Sequence, residues 1–207
     1  MSGNGSFRAP PIEDLQPHFP QYKIEAFAAV GGMGAVCRAT QISVDRPVAL
    51  KILPPEMATE ESFRERFAME AKAMARSSHR NLDQLYDFGE TGGIFWMIQE
   101  WVEGRTTFEV MHEEERLSPE EAAALVAQAC DGLGYAHKQG IVHRDVKPAN
   151  MMVNNEGILK LMDFGLAGIG GADCMKNQAG RRFATEEYAA PELWDLSAKI
   201  DHRVDIF

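Results

Sequence analysis

His143-Arg144-Asp145-Val146-Lys147-Pro148-Ala149-Asn150, followed thirteen positions later by Asp163-Phe164-Gly165, gathers a carboxylate, a lysine, a carboxamide and a second carboxylate into one short stretch. These groups divide the work of phosphoryl transfer: Asp145 is suited to accept a hydroxyl proton and Lys147 to neutralise charge on the moving group. Asn150 with Asp163 is suited to hold magnesium against nucleotide phosphates. A lone Asp-Phe-Gly arises often by chance, and a lone His-Arg-Asp is also the make-up of a charged helix end. The weight therefore rests on whether the rest of the chain builds a frame around the stretch.

Apolar alternation and turn residues mark strands at Tyr22 to Val30, Ala35 to Ala39, Pro47 to Leu53, Leu82 to Phe88 and Phe95 to Val102, the pattern of a five-stranded antiparallel lobe. Between the third and fourth, Ser62 to Arg76 places Phe63, Phe67, Ala71 and Met74 at helical spacing, with Glu70 on the same inward face. A carboxylate among those side chains is costly to bury without a cation, which calls for a partner elsewhere. Ser118-Pro119-Glu120-Glu121 reads as a capping box with proline at the first helical position, opening a helix to about His137 that Gly140 ends. Leu125, Ala129 and Leu133, with Val126 and Cys130 beside them, form its apolar stripe. Cys130 is expected in the core and His137 as a cation at the helix end.

The His143–Asn150 and Asp163–Gly165 segments resemble the catalytic and metal loops of eukaryotic-type protein kinases, here of the bacterial serine/threonine kind. Val48-Ala49-Leu50-Lys51 resembles that family's third strand, and Tyr22 through Ala39 its glycine-rich hairpin, in the expected order. The hairpin departs from the family in having Ala29 at the first glycine position, followed by Val30, Gly31 and Gly34. Since a strand rather than a helix follows, a dinucleotide fold is disfavoured, and no P-loop motif is present. The resemblance implies an α+β, two-lobed fold: a small lobe at about 21–101 with a five-stranded antiparallel sheet and one helix, and a partial, mostly helical large lobe at about 102–207. Residues 1–20 are expected to form a flexible tail and a lead-in, Ile12 to Phe19, that packs on the small lobe.

ATP and Mg2+ are the implied cofactors. By the same resemblance Lys51 holds ATP phosphates and is positioned by Glu70, adenine lies between Val36 and Ala49 on one side and Met152 on the other, and the backbone of Glu100 and Val102 binds its edge. Gln99 matches the gatekeeper, and Met74, Leu85, Phe164 and His143 the family's regulatory stack. Lys147 points to serine and threonine hydroxyls of protein substrates, and Thr185, ahead of Tyr188-Ala189-Ala190-Pro191-Glu192, to the substrate pocket, although Ala184 and Glu186 replace the usual glycine and proline. Arg144 matches the residue that anchors a phosphorylated loop, yet Leu166 to Ala184 carries no serine or threonine. Asp173 is the alternative charge there, against the simpler reading of a solvated loop residue.

A net charge of −10 argues against general nucleic-acid binding. Cys37, Cys130 and Cys174 have neither disulfide nor zinc spacing, which fits the cytoplasm, and no apolar run is long enough to span a membrane. Asp201 to Phe207 resembles the start of the family's long central helix. Residues 1–207 alone are therefore expected to leave Leu125, Val126, Ala129 and Leu133 short of cover. Three other readings stay open: a non-catalytic nucleotide-binding pseudokinase or scaffolding module, an inactive fragment of a longer kinase, and a small-molecule phosphotransferase.

Overall fold

The computed structural model describes residues 7–31, 34–55, 61–113, 117–164, 187–195 and 197–207. Gly165, Asp173, Cys174, Ala184, Thr185 and Glu186 lie outside the described residues. The chain divides into two compact units, residues 1–64 with 85–101 and residues 65–84 with 102–207.

In the first unit, β1 (Tyr22–Gly31), β2 (Gly34–Gln41), β3 (Arg46–Ile52), β4 (Leu85–Thr91) and β5 (Ile94–Glu100) form an antiparallel sheet in the order β1-β2-β3-β5-β4. Because side chains alternate across a strand, register assigns each residue to a face. Cys37, Ala39, Val48, Leu50, Ile52, Trp96 and Ile98 fall on one face and bury against Leu15 and Phe19 of the lead-in, where α1 (Ile12–Leu15) runs into a 3-10 turn, Gln16–His18. Gln16 fixes that lead-in: its side chain donates to the Phe19 and Tyr22 carbonyls and accepts from the Ile24 N–H. Phe19 meets Trp96 edge-on at 5.7 Å between ring centres.

The expected fourth strand begins three residues too early. Asn81, Leu82 and Asp83 instead bond with the second unit's own strand: the Leu161 N–H donates to the Asn81 carbonyl and the Asp83 N–H to the Leu161 carbonyl. Apolar content at Leu82 signalled a strand, but its backbone partners belong elsewhere.

Helix α2 (Glu61–Arg76) buries Phe63, Phe67, Ala71 and Met74, as the spacing predicted. The second unit continues with β6 (Gly104–Thr106), α3 (Thr107–Glu113), α4 (Pro119–Lys138), β7 (Met151–Asn154) and β8 (Leu159–Leu161). The box at the head of α4 forms as read, the Ser118 hydroxyl accepting from the Glu121 N–H while the Glu121 carboxylate accepts from the Ser118 N–H. Gly140 follows the helix at φ +77°, a left-handed conformation that glycine takes without a side-chain penalty.

Two readings of α4 need correction. Cys130 is exposed rather than core, and Val126 is 61% exposed. The buried face of α4 keeps Ala129 and Leu133 of the expected stripe, so these two have the cover they were expected to lack, and adds Gly132 and Ala136; the missing side chain of Gly132 lets the helix lie close to Asn81. The unit also holds a three-stranded sheet, β6-β7-β8, and α3, which the sequence reading did not mark. At the chain's end, His202–Asp205 forms a 3-10 turn.

Candidate active site

The first unit presents Ala29, Val36, Ala49, Lys51 and Gln99 on a single surface, while Val30, paired with Ala35, and Glu100, paired with Val48, fall on the alternate face. Register pairs Val36 with both Ala29 and Lys51, Ala49 with Gln99, and Lys51 with Met97, so these side chains share the sheet face opposite the lead-in core. Ala49, Lys51 and Gln99 are buried there, while Val30 is 53% exposed. Gly34 has no substitute: its φ is +118° and an added Cβ would sit 2.0 Å from the Ile52 carbonyl oxygen. Gly31 has open space around it. Ala29 lies in the paired, exposed part of β1, so its methyl is accommodated by the strand.

The second unit assembles the catalytic-loop residues around Asp145. Lys147 Nζ lies 2.7 Å from Asp145 Oδ2, and Asn150 Nδ2 donates both to that oxygen at 3.0 Å and to the Asp145 carbonyl at 2.9 Å. A 3-10 turn, Pro148–Asn150, puts Lys147 and Asn150 on the same side of the loop. The Met162 N–H donates to the Asn150 carbonyl at 2.8 Å, which sets Asp163 beside Asn150. Asp163 itself has φ +62° and Arg144 φ +68°, conformations costing a non-glycine residue roughly 1–3 kcal/mol and persisting where surroundings enforce them.

Two buried side chains do the enforcing. His143 donates from Nε2 to the Met162 carbonyl and accepts at Nδ1 from the Asp145 N–H, a pair of bonds that assigns the Nε2–H tautomer. Burial lowers its pKa, against the pull of Asp205, so the ring stays neutral and keeps its acceptor. Phe164 packs on it at 4.5 Å between ring centres. Asp205, with a fully buried carboxylate, accepts from the His143 N–H at 2.8 Å, the Arg144 N–H at 2.6 Å and His137 Nε2 at 2.7 Å. The sequence reading missed Asp205. Its signal was present in the Asp201–Phe207 resemblance, but its partners lie more than sixty residues upstream and only the fold brings them together. His137, expected as a helix-end cation, bonds this carboxylate.

Glu70 on α2 is half-buried, and burial pushes its pKa up to about 7 against the opposing pull of Arg144 and Arg66. Glu70 and Arg144 line a common cavity of about 190 Å3. Met152 sits in β7, paired with Thr106 and Lys160, and Val102 is buried just after β5.

The donor set suits magnesium. With Nδ2 of Asn150 engaged by Asp145, its Oδ1 and the Asp163 carboxylate are hard oxygens, and Mg2+ characteristically takes one or two carboxylate-type ligands alongside nucleotide phosphates.

A model of the protein kinase domain matches residues 22–207. The chain belongs to the protein kinase family. It is 34% identical over 196 residues to the serine/threonine-protein kinase PknB of Mycobacterium leprae, a match covering 92% of this chain and 31% of that protein. With PknL of Mycobacterium tuberculosis it is 37% identical over 188 residues, covering 90% of this chain and 46% of that one. The chain thus spans less than half the length of these relatives. Among solved structures, the PknI kinase domain of Mycobacterium tuberculosis superposes with a TM-score of 0.72 at 30% identity, over 89% of this chain and 67% of that one. No described helix is long and apolar enough to cross a membrane.

Proposed function

We propose that this chain is the catalytic region of a serine/threonine protein kinase that transfers the γ-phosphoryl group of ATP to a protein hydroxyl. The observation that supports this most is Asp145: one carboxylate oxygen shared by Lys147 and Asn150, in a loop pinned by His143 and Asp205. Asp145 orients the substrate hydroxyl and takes its proton as the oxygen bonds to the γ-phosphorus and the bond to the ADP oxygen breaks. Lys147 neutralises charge on the group in transit. Asn150 and Asp163 would hold Mg2+, which supplies positive charge against the nucleotide phosphates. Lys51 binds phosphate. Val36, Ala49 and Met152 contact adenine, Glu100 and Val102 bond its edge through the backbone, Gln99 bounds the pocket, and Ala29, Val30, Gly31 and Gly34 cover the phosphates.

The acidic net charge supports protein rather than nucleic-acid partners, and three cysteines without disulfide or zinc spacing support action in the cytoplasm. Titrating ATP with and without Mg2+, in wild type and Lys51→Met, tests the reading. Magnesium-dependent binding is expected in wild type, with turnover on a generic basic protein lost in Lys51→Met while the melting temperature holds. Metal-independent binding, or equal turnover in the two proteins, contradicts it.

A further inference from the structure

β1 stands at the end of the sheet order, so along one side its backbone groups have no neighbouring strand among the described residues. The Gln21 carbonyl bonds toward β2 by accepting from the Ile42 N–H, and alternation along the pair then turns the Tyr22 carbonyl and the Ile24 N–H outward. Gln16 meets both. Its side-chain amide donates to the Tyr22 carbonyl at 2.8 Å and accepts from the Ile24 N–H at 3.0 Å, one bond given and one taken, as a neighbouring strand would do. A further bond to the Phe19 carbonyl at 3.3 Å ties the same amide to the lead-in, whose Leu15 and Phe19 are 0% exposed. Gln16 is thereby held by the lead-in while it holds the edge of β1.

The hold matters because β1 is irregular beyond Ile24. From Ile24 to Gly31 it runs eight residues against the six of β2 from Gly34 to Ala39. Ile24 faces Ala39 and the next pair is Ala26 with Arg38; Phe27 faces Cys37 and the next pair is Ala29 with Val36. Glu25 and Ala28 are the extra residues, and each bulge bends the strand and adds twist. Such a strand has alternative registers, because moving either extra residue by a place turns the side chain it passes to the opposite face. The far end of the hairpin is pinned on β2, by Gly34 against the Ile52 carbonyl. At the near end Tyr22 and Ile24 bury in the lead-in core, and Gln16 fixes their backbone.

We propose that Gln16 is a positioning residue for ATP, setting the register from which β1 carries the Ala29–Gly31 backbone over the phosphates. The proposal rests on the kinase reading for the identity of the nucleotide. Gln16 acts through the strand, since the five residues from Ile24 to Ala29 span roughly 15 Å. Its loss changes how well the hairpin fits the phosphates and leaves the chemical groups of the catalytic loop as they are.

The test compares wild type, Gln16→Met and Leu15→Val in the full chain, by backbone hydrogen exchange and by ATP-dependent phosphorylation of a generic basic protein. Methionine keeps the length of the side chain and makes none of the three bonds. Valine trims the buried core under the lead-in and leaves Gln16 in place, so it loosens packing alone. In Gln16→Met, exchange at Ala26 to Gly31, taken relative to β3 so that global destabilisation cancels, should run about fivefold faster or more. The KM for ATP should rise about fivefold or more, with kcat at saturating ATP within about twofold of wild type. Leu15→Val should melt lower while relative exchange in that segment and the KM stay within about twofold. Unchanged relative exchange in Gln16→Met overturns the proposal. So does an equal rise of KM in both variants, which would assign the effect to packing of the lead-in. No turnover in any sample, wild type included, counts against the kinase reading and leaves the exchange data to decide whether Gln16 sets the register.

Discussion

Asp205 shows how a residue without chemistry of its own governs the residues that have it. Its buried carboxylate takes the backbone N–H groups of His143 and Arg144, and Arg144 sits in a left-handed conformation that needs such support. Replacing Asp205 with alanine takes the acceptor from three donors, the His143 and Arg144 N–H groups and His137 Nε2; at roughly 1–3 kcal/mol for each of the two backbone donors, the expected loss is at least about 2–6 kcal/mol. Chemical denaturation reads the stability. The accompanying expectation is that kcat falls much further than ATP affinity, because the loss loosens the Asp145 loop; a variant with normal kcat would remove Asp205 from this role. Glu70 makes stability depend on pH. Its pKa is raised from the ordinary glutamate value to about 7, so between about pH 4 and 7 the folded protein binds more protons than the unfolded chain and stability falls as pH rises. Glu70→Gln removes this charge and should melt higher than wild type at pH 8, by an order of 3 kcal/mol at most, with little difference at pH 4. Under the role proposed for Glu70, phosphoryl transfer by that variant should nevertheless drop. Equal melting temperatures at pH 8 would contradict the buried charge.

At the scale of elements, the hairpin makes the most direct contrast. Gly34 is fixed both by a positive φ and by the Ile52 carbonyl, whereas Ala29 stands in an ordinary strand pairing with Val36. Gly34→Ala should therefore push β2 off β3 and weaken ATP binding sharply, while Ala29→Gly should tighten it only modestly; isothermal titration of ATP separates the two, and a neutral Gly34→Ala would refute the hairpin geometry. Elements with long periodic patterns were legible in the sequence, and so were those with strong end signals. The alternation at Val48 to Ile52 fixed which side chains face the core and which, Lys51 among them, face away. The Ser118 box fixed where α4 starts. The three-residue strands of β6 and β8 are too short to show a period. Cys130 was misplaced because an apolar stripe on one helix does not reveal which part of it meets a neighbour; the close approach at Gly132 decides that.

Across the whole molecule, both units bring together the residues that motif order had linked in sequence: one sheet face in the first unit and one loop in the second. What stayed hidden was tertiary support from distant segments, Asp205 beneath the catalytic loop and Asn81 bridging the Leu159 carbonyl and Gln128. Such residues bond backbone groups far along the chain, and no local pattern announces them. Asp145 is the base of the proposed phosphoryl transfer. Its most direct test is single-turnover transfer of labelled γ-phosphate from magnesium ATP to a generic basic protein, comparing wild type with Asp145→Asn at saturating nucleotide. A loss of about 10²–10⁴-fold with nucleotide affinity nearly unchanged is the predicted result; equal transfer by the two proteins would contradict the account.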